Sequence, residues 1–232
     1  MTQKACLRFT FLGTGSSGGV PRIGNDWGAC DPDELKNRRS RCSALLEYFS
    51  DSGGAPTRIL IDTSPDMREQ LLRTDVGRID AVVYTHEHAD QTGGIDDLRV
   101  LALRQRQRIP VYMDERTAEA LLKRAAYCFE GAGDYPPILD VQPYLVPGQP
   151  VSIPGPSGSI EMQPILQFHG RINSLGFRIG DFAYCNDLND LPEESLQALR
   201  GVRTFVVDAL RYSMHPSHAN VDQALDLSLI HI

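Results

Sequence analysis

Two imidazoles and a carboxylate stand at alternate positions in "VVYTHEHADQTGG": His86, His88 and Asp90, directly after an apolar run. Side chains two apart on an extended segment point the same way, so the three are expected to converge on one point at the end of a buried strand. Strand ends are where sites on sheets tend to sit. Imidazole nitrogen and carboxylate oxygen together suit a divalent transition metal. Gln91 stands where a fourth ligand is expected, and its carbonyl oxygen is a poorer ligand for such a metal than imidazole. The glycines of "TGGIDDLR" then let the chain turn sharply into a helix.

Further ligands must come from distant segments. His169 follows "MQPILQF" and Asp187 closes "DFAYCND". Between them Gly180-Asp181 is a two-residue turn of the kind that joins antiparallel strands, which predicts a hairpin of "SLGFRI" with "FAYCND". The fold-back places position 187 opposite about 174 and brings His169 and Asp187 to the same end. His169 and Asp187 are therefore candidate metal ligands alongside His86, His88 and Asp90.

The elements that must hold these residues are short β-type runs: "LRFTFLG", "SALLEYF", "RILIDT", "IDAVVYT", "IPVYMD", "IEMQPILQF", "SLGFRIG", "DFAYCND" and "RTFVVDAL". Helical patterns are read at Pro65 to Arg73, Ile95 to Arg106, Arg116 to Tyr127, Glu193 to Leu199 and His218 to Asp226. The order is that of an α/β chain. Its early strands are neighbours and its later ones alternate with helices, which predicts a mixed sheet, or two sheets packed face to face with helices outside. Ser16 to Arg41 and Glu130 to Pro156 read as long irregular loops, and Gly133 to Asp140 as a lid or a homodimer contact.

"FLGTGSSGG" spaces Gly13, Gly15 and Gly18 as a dinucleotide fingerprint would, but Val20-Pro21 and another glycine follow where a helix should begin. The expected role is a glycine-rich turn that lets backbone pass close to a neighbour. "KNRRSRC", Lys36 to Cys42, reads as a solvated charge run rather than an anion site, and Cys30 with Cys42 as too widely spaced for structural zinc.

A chain of 232 residues with 41% apolar content is long enough for one well-buried core. The formal charge of -7 and pI of about 5.3 argue against nucleic acid as the partner, whereas a small anionic substrate needs only one local basic patch. No stretch approaches a membrane span and the N-terminal apolar run is broken by Arg8, so no membrane association is expected and the location is read as cytoplasmic. Five scattered cysteines without a CxxC pair fit reduced thiols.

"THEHADQTGGIDDLR" resembles the HxHxDH signature of the metallo-β-lactamase superfamily. "GTGSSGGVP", "ILIDTSPDMREQLL", "YCNDLNDLP" and "MHPSHANVDQAL" are similar to its phosphoribosyl 1,2-cyclic phosphate phosphodiesterase branch. The resemblance spans nearly the whole chain. It implies an αββα sandwich with one or two divalent ions, zinc or manganese. One metal is then held by His86, His88 and His169, the other by Asp90 and two further histidines, with Asp187 bridging. It also implies His218 near the substrate as the proton donor, with His215 beside it, so that Asp90, His218 and His215 are the expected catalytic residues. Arg22, Arg171 and Arg211 are candidates for the substrate phosphate.

The sequence departs from that pattern at Gln91 and in lacking the last histidine, for which His231 lies too close to His218. One reverse translation of the tail "LSLIHI", CTGTCTCTTATACACATC, reads as the end of a transposon-based sequencing adaptor. The expectation is therefore a single domain over residues 1–226, C-terminally truncated, with Leu227 to Ile232 as an artefactual tail. The expected activity is hydrolysis of a small cyclic or linear phosphodiester by metal-activated water. The rivals are a transfer-RNA 3′ processing endonuclease and a catalytically impaired metal- or ligand-binding module.

Overall fold

The computed structural model describes residues 5–229. The chain divides into two compact units, Met1–Tyr144 with Pro154–Gly158, and Leu145–Ile153 with Ser159–Ile232. Each is built on its own sheet.

The first unit carries a six-stranded sheet in the order β1-β2-β3-β4-β5-β6. β1 (Cys6–Gly13), β2 (Ser43–Phe49) and β3 (Thr57–Ile61) form an antiparallel meander. β4 (Ala81–Val83), β5 (Ile109–Tyr112) and β6 (Leu139–Val141) then add in parallel, after helical crossovers. Register lines up Leu45, Leu60, Val82 and Val111 across four strands. On that line α1 (Met67–Arg73), α3 (Leu98–Gln105), α4 (Glu115–Arg124) and α5 (Ala126–Glu130) bury Met67, Leu71, Leu98, Leu101, Leu121 and Phe129. Removal of this apolar surface from water is the main stabilising term of the unit.

The second unit carries a five-stranded sheet in the order β11-β10-β9-β8-β7. It comprises β7 (Val151–Ile153), β8 (Ile160–His169), β9 (Ile172–Ile179), β10 (Phe182–Cys185) and β11 (Thr204–Val207). Neighbours are antiparallel except β10 and β11, which run parallel around α6 (Glu193–Leu199). Ile165, Ala183, Cys185, Leu188, Leu191, Leu199, Val202 and Ala219 form its apolar cluster, with Leu227 of α7 (Val221–Ser228) packed against them. Two mixed sheets with their helices match the α/β class read from the sequence.

Several boundaries differ from the sequence reading, each for a local reason. The segment read as loop from Glu130 to Pro156 contains β6 and β7, three residues each, too short to show a period. The helix read from Arg116 to Tyr127 breaks at Ala125, which leaves helical geometry at φ -128° and ψ 36° and separates α4 from α5. The last helix starts at Val221 rather than His218. Asn220 caps it reciprocally with Gln223, the Asn220 side chain accepting from the Gln223 N–H and the Gln223 side chain from the Asn220 N–H. His218 therefore lies on the loop before the cap. His231 lies outside the described residues.

The glycine-rich turn has the role expected of it. A Cβ on Gly13 would sit 2.0 Å from the Arg41 carbonyl oxygen and one on Gly15 2.8 Å from that of Ser40, so only glycine lets these segments meet.

Candidate metal centre

In the first unit the site residues follow β4. His86 is fully buried, and a directed chain of hydrogen bonds fixes its ring. The Thr85 N–H and hydroxyl donate to the two carboxylate oxygens of Asp62, at 2.8 and 2.9 Å. With its proton committed, Thr85 Oγ1 accepts from His86 Nδ1 at 3.0 Å. That tautomer leaves the lone pair on Nε2, the atom a metal takes, and a carboxylate behind the ring is the usual support for a ligating histidine. Asp62 sits in the left-handed region at φ 63°, a conformation non-glycine residues adopt where surrounding bonds hold them.

His86 Nε2 faces His88 Nδ1 at 3.0 Å, with the rings edge to face and centroids 4.6 Å apart. Two ring nitrogens turned together in this way are satisfied by a proton on His88 or by a shared cation. Alternation stops here. His88 is still extended, at φ -61° and ψ 149°, but it is the N-cap of α2 (Ala89–Thr92), so Asp90 leaves from a helical turn rather than from the strand direction the sequence suggested. Gln91 is buried in the same turn, where its N–H donates to the His88 carbonyl at 3.1 Å and its own carbonyl accepts from Thr63 N–H at 2.7 Å. Gly94 is required for the return, since a Cβ there would lie 2.2 Å from the Ser64 carbonyl oxygen. Glu87, between the two histidines, accepts from Arg116 Nε at 2.9 Å, and its carbonyl from Arg124.

The second unit brings together His169, Asp187, His215 and His218, and adds Asp208. β8 ends on His169, whose Nδ1 donates to the Ser217 carbonyl at 2.6 Å, again leaving the lone pair on Nε2. The predicted hairpin is formed, with Phe182 opposite Ile179 and Tyr184 opposite Phe177, and beyond this ladder the Ser174 hydroxyl donates to the Asp187 carbonyl at 2.8 Å. Asp187 takes a left-handed conformation at φ 45°. Asp208 follows the parallel strand β11, and its N–H donates to the Cys185 carbonyl at 2.9 Å. Both carboxylates thus come from the same ends of adjacent strands. His218 Nδ1 donates to Asp208 Oδ2 at 2.6 Å and lies 3.8 Å from Asp187 Oδ1. Its ring centroid is 4.8 Å from that of His169 and 5.1 Å from that of His215. Burial pushes the His215 ring below the usual histidine range, and the charges of His218 and Arg211 act the same way.

Asp208 was not singled out in the sequence, although "RTFVVDAL" closes on an aspartate as "DFAYCND" does. Only the pairing of β10 with β11 shows that the two aspartates are neighbours. Ligand atoms of Asp187, Asp208 and His218 all lie within 4.8 Å of one another. In the second unit two carboxylates converge with an imidazole, and in each unit a histidine has its second nitrogen already committed; these are the donor types that suit a divalent metal. Of the arginines considered for phosphate, Arg22 pairs with Asp26 at 3.4 Å and Arg211 donates to the carbonyls of Ser213 and Met214, while Arg171 is exposed.

A family model described as the beta-lactamase superfamily domain matches residues 57–229. The chain belongs to the metallo-β-lactamase superfamily. A diphosphatase from the PhnP family is similar to this superfamily member over 97% of this chain and 84% of its own, at 32% identity and a TM-score of 0.82. The short form of human tRNase Z matches over 96% and 88% at a TM-score of 0.64, and at 15% identity shares the fold alone. An octanoyltransferase of Porphyromonas gingivalis (strain ATCC BAA-308 / W83) is 34% identical over 223 residues, 95% of this chain. The present chain spans only 43% of that longer protein. Among the described residues of this superfamily member, no helix is long and apolar enough to cross a membrane.

Proposed function

We propose that the protein is a metal-dependent phosphodiesterase acting on a small cyclic or linear phosphodiester. The observation that carries this reading is His218, held by Asp208 at 2.6 Å with Asp187 and the His169 ring beside it. The similarity to a diphosphatase supports phosphorus chemistry at such a site.

In this reading His86, His88 and His169 would hold one ion, zinc or manganese, and Asp90 would serve a second with Asp187 contributing, so that residues 1–226 act as one functional domain. A bound divalent ion supplies an acidified water near neutral pH and charge stabilisation for phosphoryl oxygens. The chain's own residues do the rest. Thr85 and Asp62 orient His86, and the Ser217 carbonyl orients His169. The alkoxide that leaves a phosphodiester needs a proton, and histidine titrates in the range to give one. With Nδ1–H committed to Asp208, His218 presents Nε2 for that transfer.

The test is turnover of bis(4-nitrophenyl) phosphate and of a cyclic ribose phosphate, with added Zn²⁺ or Mn²⁺. Hydrolysis of both supports the reading. Cleavage of a transfer-RNA precursor alone, falling steeply with salt, would replace it with the endonuclease. Metal binding without any turnover would favour the impaired module, the reading that Gln91 motivates.

A further inference from the structure

Gln167, Ser174 and the Asn186–Asp187 backbone are joined in one line of hydrogen bonds. Gln167 and Ser174 are direct partners in the β8–β9 ladder, whereas Asp187 follows β10, whose pairing with β9 ends at Tyr184 opposite Phe177. Gln167 is 0% exposed and Ser174 1%. The Gln167 amide donates to Ser174 Oγ at 2.9 Å and to the Asn186 carbonyl at 2.6 Å, and the Ser174 hydroxyl donates to the Asp187 carbonyl at 2.8 Å. Every donor runs toward the site.

Two features show that this line does more than pair strands. The β10 ladder ends at Cys185, so the carbonyls of Asn186 and Asp187 lie beyond regular strand pairing, and side chains hold them. Asp187 is also one of five described non-glycine residues at positive φ, which needs external bonds to persist. Gln167 itself is costly to bury, because its Oε1 has no hydrogen-bond partner and packs where a Cβ on Gly176 would be 2.5 Å away. A methionine of similar volume would fill the space without that cost. What it could not supply is the amide's donor pair.

We propose that Gln167 and Ser174 are positioning residues for Asp187: they clamp the 186–187 backbone so that the Asp187 carboxylate stays turned toward His218 and Asp208. This rests on reading Asp187 as a metal ligand. Removal of such a support typically costs roughly 10- to 100-fold in metal affinity or activity.

The experiment uses the full chain loaded with Co²⁺ and Zn²⁺, comparing the parent, Asp187→Ala, Ser174→Ala and Gln167→Met. Metal affinity is read by competition with a chromophoric chelator, ligand geometry by the Co²⁺ visible spectrum, and stability by urea midpoint. The expected result is a metal affinity lowered roughly 10- to 100-fold in Ser174→Ala and Gln167→Met, with an altered Co²⁺ spectrum in protein that remains folded. A purely structural role would move the midpoint and leave the spectrum of folded protein unchanged, and that result overturns the proposal. Asp187→Ala tests the underlying reading separately. If it keeps the parent's metal stoichiometry and affinity, Asp187 holds no metal and both claims fall; if it loses metal while the other two match the parent, only the positioning claim falls. Failure of both support variants to fold would also overturn it, since the pair would then serve the sheet as a whole.

Discussion

His218 and Asp208 are joined by a 2.6 Å hydrogen bond between the loop that precedes α7 and the residue directly after β11. It commits the Nδ1–H of His218 to Asp208. Asp208→Asn should therefore lower turnover by roughly the 10²- to 10⁴-fold of a lost general acid, as His218→Ala should, with the double variant little worse than either. The loss should be smallest for esters with good leaving groups, which need less protonation. Steady-state rates across a leaving-group series check this. An equal loss for all leaving groups, or metal loss on His218→Ala, would assign the ring a ligand's role instead.

The Thr85 hydroxyl links Asp62 to His86. Thr85→Val keeps the shape and removes the link, leaving the His86 ring without its oriented acceptor. Metal affinity should fall roughly 10- to 100-fold with the fold retained. Chelator competition on the purified variant, beside its circular dichroism spectrum, measures both.

Gly94→Ala should destabilise the protein by about 1–3 kcal/mol, because the new methyl would lie 2.2 Å from backbone that cannot give way without shifting α1 or α2. A urea midpoint indistinguishable from the parent would contradict the close approach of the 64 and 94 segments.

Arg41 and Asp66 supply a pH prediction. The Arg41 side chain donates to Asp66 at 2.6 and 2.9 Å, and this hydrogen bond holds the Asp66 carboxyl below the usual carboxylate range. A depressed folded value means stability that is present above the unfolded pKa, about 3.9, and lost as pH falls through the folded one. Asp66→Asn should thus be less stable than the parent at neutral pH, with the difference shrinking in acid. Urea midpoints at pH 7 and below pH 4 report it. The pair is part-exposed, so the effect is modest.

Much of the fold was legible because its strands are apolar runs punctuated by Gly, Asp and Pro, and the Gly180-Asp181 turn marked the hairpin after which the Ser174 hydroxyl meets the Asp187 carbonyl. The residues that were not legible depend on what only folding brings together. Asp208 meets His218 through a parallel strand pairing, and parallel pairing leaves no turn signal in the sequence. The sequence period places Asp90 on a strand alternation, whereas the chain turns helical once His88 caps α2. The supports behind the ligands, Asp62 and Thr85, read as ordinary strand-end residues until their hydrogen bonds are traced.

The central claim is that His86 and His88 belong to a divalent metal site that drives hydrolysis. Elemental analysis and phosphodiester turnover of the parent and of His86→Ala/His88→Ala, before and after chelation, test it most directly. The account predicts at least one divalent ion per parent chain, turnover abolished by chelation and restored by Zn²⁺ or Mn²⁺, and a double variant that neither holds metal nor responds to it. A double variant with the parent's metal content, or a chelated parent that turns over undiminished, would contradict it.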